Sequence, residues 1–340
     1  MAAANRLTAR AVPSNVAAMR SALLSLSLLA LWPAAACGGH ADEANTLTIA
    51  VVPKGTQHEF WKSVHAGALQ GARALGVAME WLGPDPEGDR QAQVHLLQQL
   101  VIKGVKGIVL APIDEQALAR PVADAVAAGV PVVVIDSALQ GDAHVAYVAT
   151  DNRAGGELGG RHLAELLGGK GRVAMLRFQQ GSASTMAREA GCLAALAAFP
   201  DIVVVDSDQY AGDTERAQKT AASLLLAHPD LDGVFCPNES TTHGFLVALQ
   251  QAGRAGKVKF VGFDSSQPLV NGLEQGHVHG LVLQDPVAMG RLGVEALVAH
   301  LRGQPVAKVQ HTGLHLATPS NRTDPAFRAL LQPDLSILSR

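Results

Sequence analysis

The chain has 340 residues, of which 48% are apolar and 17% are charged, and its formal net charge at pH 7 is −3. Single hydrophobic cores rarely grow beyond about 250 residues, so a chain of this length predicts two lobes. The sequence contains no block of Lys or Arg, and we therefore expect neither a large phosphate-binding surface nor a nucleic-acid partner.

The first 36 residues have the order of an export signal. Arginines precede an apolar run at 22–31, and three alanines stand directly before Cys37. The apolar run is too short to span a bilayer as a stable helix. We predict a signal peptide at 1–36, starting at Met1 or at Met19, and a mature chain in the periplasm or another extracytoplasmic space.

Cys37 has two interpretations. Small residues directly before a cysteine resemble the lipobox of bacterial lipoproteins, in which the cysteine is acylated, although Ala34 stands where leucine is usual. Ordinary signal cleavage after Ala36 fits the same residues. Lipidation is favoured, because residues 37–45 are polar and glycine-containing, as suits a tether between an anchor and a folded domain. A lipid on Cys37 would be the expected membrane attachment.

From residue 47 onward, apolar runs of strand length alternate with longer helical patterns, which indicates parallel sheets with crossover helices. The predicted strands lie at 47–53, 77–82, 107–112, 131–136, 172–178, 202–207, 233–237, 258–264 and 278–284. The predicted helices lie at 57–75, 89–103, 116–128, 153–167, 184–198, 213–227, 239–252, 268–275 and 285–302. The two halves repeat one α/β architecture, so we expect two doubly wound parallel-sheet lobes.

Polar side chains follow these strands at their carboxyl ends. In an open parallel sheet, ligands bind beyond these ends, where helix N-termini present free backbone donors. Carboxylates and amides combined with aromatic faces suit a polyhydroxylated ligand, because hydroxyls need polar partners and C–H faces pack on rings. The strand-end residues are 54–61, Asp136, Ser137, Asp151, Asn152, Arg188, Asn238, Glu239, 264–266 and Gln284.

Over nearly all of its mature length the chain resembles the ribose-type periplasmic sugar-binding proteins of bacterial ABC importers, relatives of the effector domains of lactose-repressor-type regulators. The resemblance rests on IAVVP, HEFWKSVHAGA, GIVLAP, AAGVPVVVIDS, VATDNRAGGELGG, MAREAGCLAAL, LLAHPDLDGVFCPNE, VGFDSS and QDPVAMGRLGVEAL, in this order. It implies two lobes joined by a three-crossing hinge, the periplasmic binding protein-like I fold. The first lobe would contain 46–150 and 285–310, and the second 151–284 and 311–340.

The resemblance also implies a set of ligand-binding residues. Phe60 and Trp61 occupy the positions of the family's sugar-stacking rings, and His58 occupies that of a neighbouring polar contact. The hydrogen-bonding positions are Asp136, Arg188, Asn238, Asp264 and Gln284.

Two positions depart from the pattern of ribose binders. Ser137, which we include in the candidate site, stands where an arginine is usual. Gly212 stands where another aromatic ring is usual, and Tyr210 comes two residues earlier. We therefore expect a monosaccharide other than ribose, or a similar polyol.

Some of these residues also fit ordinary structural roles. Phe60 and Trp61 could be core residues, but adjacent helical positions differ by about 100°, so both face one core only near a helix end. Aspartates after strands often cap the next helix, which is the favoured role for Asp151. For Asp136 and Asp264 the resemblance favours ligand binding.

The sequence shows no catalytic or metal-binding pattern of the common kinds. His58 and Glu59 would begin the zinc motif HExxH, but Lys62 stands where the second histidine is required. His277 and His279 could share one strand face, without a third ligand nearby in sequence. We expect no metal, no cofactor and no enzymatic activity.

The expected function is that of an exported, monomeric solute-binding protein. It would close around a sugar or polyol and deliver it to an ABC permease in the inner membrane. An alternative is a sensory module that docks on a chemoreceptor or a histidine kinase, which the sequence does not distinguish from transport. A cytoplasmic repressor is disfavoured, because the residues before Leu47 form an export signal instead of a DNA-reading helix-turn-helix.

Overall fold

The structure is a computed structural model that describes residues 47–85 and 87–339. The predicted signal peptide at 1–36, the tether at 37–45 and the candidate lipidation site Cys37 lie outside the described residues. Within the described part of the chain, none of the helices combines the length and apolar character needed to cross a membrane.

The strands and helices alternate along most of the chain. The first series is β1 (Thr48–Val52), α1 (Glu59–Leu75), β2 (Ala78–Trp81), α2 (Arg90–Lys103), β3 (Ile108–Leu110), α3 (Ala119–Ala127), β4 (Val132–Ile135) and β5 (Tyr147–Ala149). The second is α4 (Asn152–Leu166), β6 (Lys170–Arg177), α5 (Ala183–Leu196), β7 (Asp201–Tyr210), α6 (Thr214–Ala227), β8 (Gly233–Phe235), α7 (Glu239–Gln251), β9 (Lys259–Phe263), α8 (Gln267–Glu274) and β10 (Gly280–Gln284). The chain ends with α9 (Pro286–Leu301), β11 (Val309–His311), β12 (Leu314–Ala317), α10 (Pro325–Leu331) and a 3₁₀ turn (Ser336–Ser339).

Two six-stranded sheets form the framework of the described residues. Their orders are β11-β5-β4-β3-β1-β2 and β12-β10-β9-β8-β6-β7. All pairings are parallel except that of β10 with β12. Central strands such as β4, with the sequence VVVI, are buried throughout, as expected for strands covered by helices on both faces. The prediction of two doubly wound lobes is confirmed.

Each sheet separates two apolar clusters. In the first lobe, α1 and α9 pack on one face and α2 and α3 on the other. In the second lobe, α4 and α5 cover one face, while α6, α7, α8 and α10 cover the other. Burial on both faces accounts for the near-continuous Val, Ile and Leu runs that made the strands predictable.

Close helix contacts explain several glycines. A Cβ at Gly156 in α4 would lie 1.9 Å from the carbonyl oxygen of Arg188 in α5, and a Cβ at Gly67 in α1 would lie 1.9 Å from that of Val287 in α9. Such distances are far below van der Waals contact, so these helix pairs require glycine. The glycine-rich sequence of α4 therefore serves packing.

The chain passes between the lobes at three places. After β5 it enters α4, which packs in the second lobe, and after β10 it enters α9, which packs in the first. The third passage joins β11 to β12, which pair with different sheets. Thr150 Oγ1 links the passages, because it donates to Gln284 Oε1 at 2.9 Å and lies 3.1 Å from Thr312 Oγ1.

The structure adds elements that we did not predict: β5, β11, β12 and α10. His311 still pairs with Ala149 in the first sheet, one residue beyond the expected boundary at 310. The 3₁₀ turn contacts α1, so the last residues return to the first lobe, whereas the expectation placed 311–340 in the second.

Candidate ligand-binding cleft

A cavity lies between the lobes, beyond the carboxyl ends of the strands. Its lining residues come from both lobes: Lys54, His58, Phe60, Trp61, Glu87, Asp136, Phe178, Ser184, Thr185, Arg188, Asn238, Glu239, Asp264 and Gln284. The structure brings eight of the nine sequence-predicted residues together here, and Ser137 is the exception among them.

Ser137 lies behind the cavity wall. It is fully buried, and its Oγ accepts a hydrogen bond from the backbone N–H of Ser184 at 3.0 Å. The preceding Asp136 has a φ of 62°, and the backbone turn at that residue separates the two neighbouring side chains. Ser137 thus joins the two lobes without lining the cavity.

Two aromatic rings of the first lobe lie in the first turn of α1. Phe60 and Trp61 meet edge to face, with ring centroids 4.9 Å apart and an interplanar angle of 84°. Both also belong to the apolar cluster beneath α1, so they line the cavity and pack in the core at once. Trp61 Nε1 donates to Glu87 Oε1 at 2.9 Å, which fixes the indole.

Lys54 and Asp136 form a buried ion pair on the first-lobe wall. Their Nζ and Oδ2 atoms are 2.7 Å apart, and both side chains are at most 5% exposed. Lys54 Nζ also donates to Ser184 Oγ of the second lobe at 3.0 Å. Lys54 therefore supplies a cation beside Asp136, although position 137 lacks the arginine usual in ribose binders.

Arg188 is the buried cation of the second-lobe wall. Its Nε donates to Asn152 Oδ1 at 2.8 Å and its Nη1 to the carbonyl oxygen of Pro237 at 2.9 Å, while the guanidinium lies 4.5 Å from the ring centroid of Phe263. Nη2 hydrogen-bonds to none of the described residues and lies 3.8 Å from Asp136 Oδ1. A buried donor without a partner is costly, so this N–H is available for a ligand oxygen.

Asp264 stands at the end of β9 with a φ of 67°. Its Oδ1 accepts from Gln284 Nε2 at 2.7 Å and its Oδ2 from the backbone N–H of Glu239 at 3.0 Å. Burial raises the pKa of this carboxyl to about 6, against the opposing effects of Arg188 and Gln284. Asp264 can therefore accept hydrogen bonds from a ligand near neutral pH and becomes protonated in mild acid.

Asn238 lines the cavity but is largely committed to its own helix. As the N-cap of α7, its Oδ1 accepts from the hydroxyl and the N–H of Thr241 at 2.7 and 3.4 Å, and its Nδ2 donates to Ser240 Oγ at 2.9 Å. One amide hydrogen is left for a ligand. Asp151 caps α4 through the N–H of Ala154 at 3.0 Å, as expected.

His58 lies between two carboxylates from different lobes. Nε2 is 3.3 Å from Glu87 Oε2, and Nδ1 is 3.7 Å from Glu239 Oε1. Burial alone would lower the pKa of His58, but the nearby carboxylates of Glu239 and Glu87 prevail and raise it to about 9. Burial raises the pKa of Glu87, against the effects of His58 and Trp61.

Sequence reasoning missed part of the lining: Lys54, Glu87, Phe178, Ser184, Thr185 and Glu239. Lys54 and Glu239 do follow predicted strands, although the resemblance does not assign them to the binding site. Glu87 follows β2, so the same strand-end rule would have found it. Phe178 follows β6 and supplies a ring from the second lobe.

Comparisons with known proteins identify similar sugar-binding proteins. The D-allose-binding periplasmic protein of Escherichia coli is 32% identical over 257 residues, which cover 73% of this chain and 83% of that protein. The ribose import binding protein RbsB of Salmonella typhimurium is 31% identical, over 76% of this chain and 86% of its own length. The chain is thus similar both to a D-allose-binding protein and to a ribose-binding protein.

Solved structures extend the likeness to the whole fold. An ABC transporter solute-binding protein from Agrobacterium vitis, bound with α-D-tagatopyranose, has a TM-score of 0.82 and 31% identity, and covers 85% of this chain and 100% of its own. Another from Agrobacterium vitis, with bound D-fucose, has a TM-score of 0.81 and 32% identity, with coverage of 84% and 100%. The family described as "Periplasmic binding protein domain" matches residues 49–305, and the chain belongs to this family.

Proposed function

We propose that the protein is an exported solute-binding protein that captures a monosaccharide or similar polyol between its lobes and delivers it to an ABC-type permease. The observation that carries this proposal is the cavity itself, in which three aromatic rings and several buried polar groups from both lobes surround one space. The sugars named for the relatives and the solved structures support the substrate class.

The polar groups of the cavity provide hydrogen-bond donors and acceptors for a hydroxyl-rich ligand. Arg188 Nη2 offers a free donor, while Asp136 and Asp264 offer carboxylate oxygens on opposite walls. Hydrogen bonds to charged groups contribute roughly 1.5 to 3 kcal/mol each. Phe60 and Trp61 present apolar faces on which the C–H surface of a sugar ring can pack.

The charge balance of the lining favours an uncharged ligand. Lys54, His58 and Arg188 stand against four carboxylates, Glu87, Asp136, Glu239 and Asp264. A phosphate or sugar acid would bring further negative charge beside these carboxylates in a partly desolvated site, which is unfavourable. A neutral polyol adds no charge and can both donate to the carboxylates and accept from the cations.

Closure is the functional step in this proposal. A ligand that contacts both walls binds the closed form more tightly than the open one, and therefore shifts the population towards closure. We propose that the closed monomer then docks on a permease in the inner membrane, that the mature chain works outside the cytoplasm with Cys37 as a lipid anchor, and that the protein has no enzymatic activity.

A binding screen tests the proposal. Thermal shift with D-allose, D-ribose, D-tagatose, D-arabinose, D-fucose and xylitol should identify a ligand, because saturation at 100 times the dissociation constant stabilises a fold by about 2.7 kcal/mol. Calorimetry should then show that Trp61→Leu weakens binding roughly fivefold, since a lost aromatic contact is worth about 1 kcal/mol.

The matched control is Trp81→Leu. Trp81 lies in the same lobe, outside the cavity lining, and stacks on His65 with ring centroids 4.3 Å apart. This variant should retain wild-type affinity. Wild-type affinity in Trp61→Leu, or the failure of every sugar and polyol to stabilise the protein, would contradict the proposed function.

A further inference from the structure

Glu239 makes a contact that neither lobe could provide alone. It is the first residue of α7 in the second lobe, yet its Oε2 accepts from the backbone N–H of Phe60 at 3.0 Å and its Oε1 from that of Glu59 at 3.3 Å. Both N–H groups belong to the first turn of α1, in the opposite lobe. The carboxylate is buried, with Glu239 7% exposed.

The first N–H groups of any helix lack partners within the helix and need an outside acceptor. In α2, α4, α6 and α9 the preceding aspartate accepts from the first turn: Asp89, Asp151, Asp213 and Asp285. His58 precedes α1, and its side chain makes no such bond within the described structure. A carboxylate at this position also interacts favourably with the helix dipole. Glu239 therefore supplies, from the second lobe, the capping acceptor that α1 lacks in its own lobe.

The surroundings hold Glu239 in this position. Its own N–H donates to Asp264 Oδ2 at 3.0 Å, and its Oε1 lies 3.7 Å from His58 Nδ1. A continuous chain of contacts thus runs from the strand-end carboxylate of the second lobe to the helix that carries Phe60 and Trp61.

We propose that Glu239 is a positioning residue that caps α1 across the cleft, so that closing the lobes completes this helix terminus and sets the two rings against the ligand. The inference rests on the proposed function, because it assumes that the lobes open and close. Since the N–H groups and the carboxylate belong to different lobes, separating the lobes must break both hydrogen bonds. The cap therefore favours closure in addition to the ligand's own contacts.

Amide hydrogen exchange at Glu59 and Phe60 tests the cap directly. These amides should exchange at least tenfold more slowly in the wild type with a saturating sugar than in Glu239→Ala with the same sugar at saturation. Glu239→Gln keeps one acceptor oxygen without the charge and should be intermediate. Sugar dissociation, followed by stopped-flow fluorescence, should be at least tenfold faster in Glu239→Ala.

Asp89→Ala is the matched control. It removes a cap within the first lobe, where Asp89 Oδ1 accepts from the N–H of Ala92 at 2.9 Å, so exchange should accelerate in α2 and stay unchanged at Glu59 and Phe60. If Glu239 served only as a ligand contact, protection at these two amides would persist in saturated Glu239→Ala, and the proposal would be overturned.

The two proposals fail in different ways. If no sugar binds, the proposed function fails, and the cap, which assumes closure around a ligand, fails with it. If sugar binds and these amides exchange equally in both proteins at saturation, the cap alone fails.

Discussion

The two lobes place an aspartate at the same point of their sheets but surround it with different partners. Asp136 follows β4 and Asp264 follows β9, the third strands of the two matching sheet orders, and both have positive φ, at 62° and 67°. Residues other than glycine rarely adopt this conformation, although aspartate tolerates it better than most. The recurrence in both lobes indicates that the same backbone conformation turns a carboxylate towards the cleft in each of them.

The neighbours make the two carboxylates chemically different. Asp136 forms a buried ion pair with Lys54, with 2.7 Å between its Oδ2 and the ammonium nitrogen. Asp264 receives hydrogen bonds from the amide of Gln284 and the backbone of Glu239, and its pKa is raised to about 6, chiefly by burial. The fold thus sets where each carboxylate lies, while the surrounding residues set its hydrogen-bond and ion-pair partners.

The largest effect is expected from removing the cation between the two aspartates. Arg188→Met leaves Asp136 and Asp264 without the guanidinium, and breaking such a buried charge cluster costs about 4 kcal/mol. We expect sugar affinity to fall at least a hundredfold, measured by calorimetry, and stability to fall by about that amount in urea unfolding. Loss of Arg188 should also raise the pKa of Asp264 further, since its charge opposes the upward shift.

Arg177→Met provides the comparison for that prediction. Arg177 pairs with the buried Glu189 at 3.0 Å in the same lobe, and neither residue lines the cavity. Its loss should lower stability and leave affinity unchanged. Wild-type sugar affinity in Arg188→Met would show that the two aspartates do not depend on a shared cation.

Replacing Asp136 or Asp264 by asparagine tests whether the two carboxylates differ as their surroundings indicate. Asp136→Asn leaves the Lys54 ammonium buried without its carboxylate, and we expect a loss of about 3 kcal/mol at pH 7. Asp264→Asn removes a carboxyl that is already disfavoured as an ion. Because the folded state binds its proton more tightly than the unfolded state, the wild type loses stability as pH rises from about 4 through 6.

Urea unfolding at pH 4 and pH 7 measures this difference. The stability of Asp264→Asn relative to the wild type should improve between the two pH values, while Asp136→Asn should stay destabilised at pH 7. Asparagine also tolerates positive φ, so the backbone is not an added variable. Equal losses in the two variants at pH 7 would mean that the lobes use their aspartates alike.

The sequence carried enough information to predict most of the fold. Strands buried on both faces read as continuous apolar runs, so every predicted strand and helix up to residue 302 is present. The missed strands β5 and β11 have three residues each, and β11 is half exposed at Val309. The strands β3 and β8 are equally short but fully buried, and they lie in longer apolar runs. By contrast, β5 and β11 are only partly buried, and pairing with neighbouring strands defines them.

The site was predictable only where strand ends determine it. Asp136, Asp264 and Gln284 follow from the rule that ligands gather at carboxyl ends of parallel strands. Partners distant along the chain were not predictable, since Glu239 meets Phe60 across a separation of 179 residues. Ser137 was predicted to line the site but lies outside the cavity lining. A sequence position next to a site residue does not determine the direction of its side chain.

A pH-dependent effect is expected at the histidine that faces both lobes. The pKa of His58 is raised to about 9 by Glu87 and Glu239, with a contribution from Asp264, even though burial opposes the shift. Its stabilising contribution is therefore fully present below its unfolded pKa of about 6.5 and is lost as pH rises through 9. The stability advantage of the wild type over His58→Gln should shrink by about 3 kcal/mol between pH 6 and pH 9.5, because each unit by which the pKa is raised corresponds to about 1.4 kcal/mol.

His279→Gln supplies the contrasting case in urea unfolding over the same pH range. Burial, with the nearby charges of Lys259 and His162, lowers the pKa of His279 to about 4, so this histidine is neutral from pH 6 to 9.5 in the folded state. The difference in unfolding free energy between His279→Gln and the wild type should hardly change above pH 7, where the unfolded histidine is neutral as well. A constant stability difference between His58→Gln and the wild type from pH 7 to 9.5 would show that the imidazole is not held as a cation between the carboxylates of the two lobes. The net charge inferred for the cleft would then be more negative by one unit.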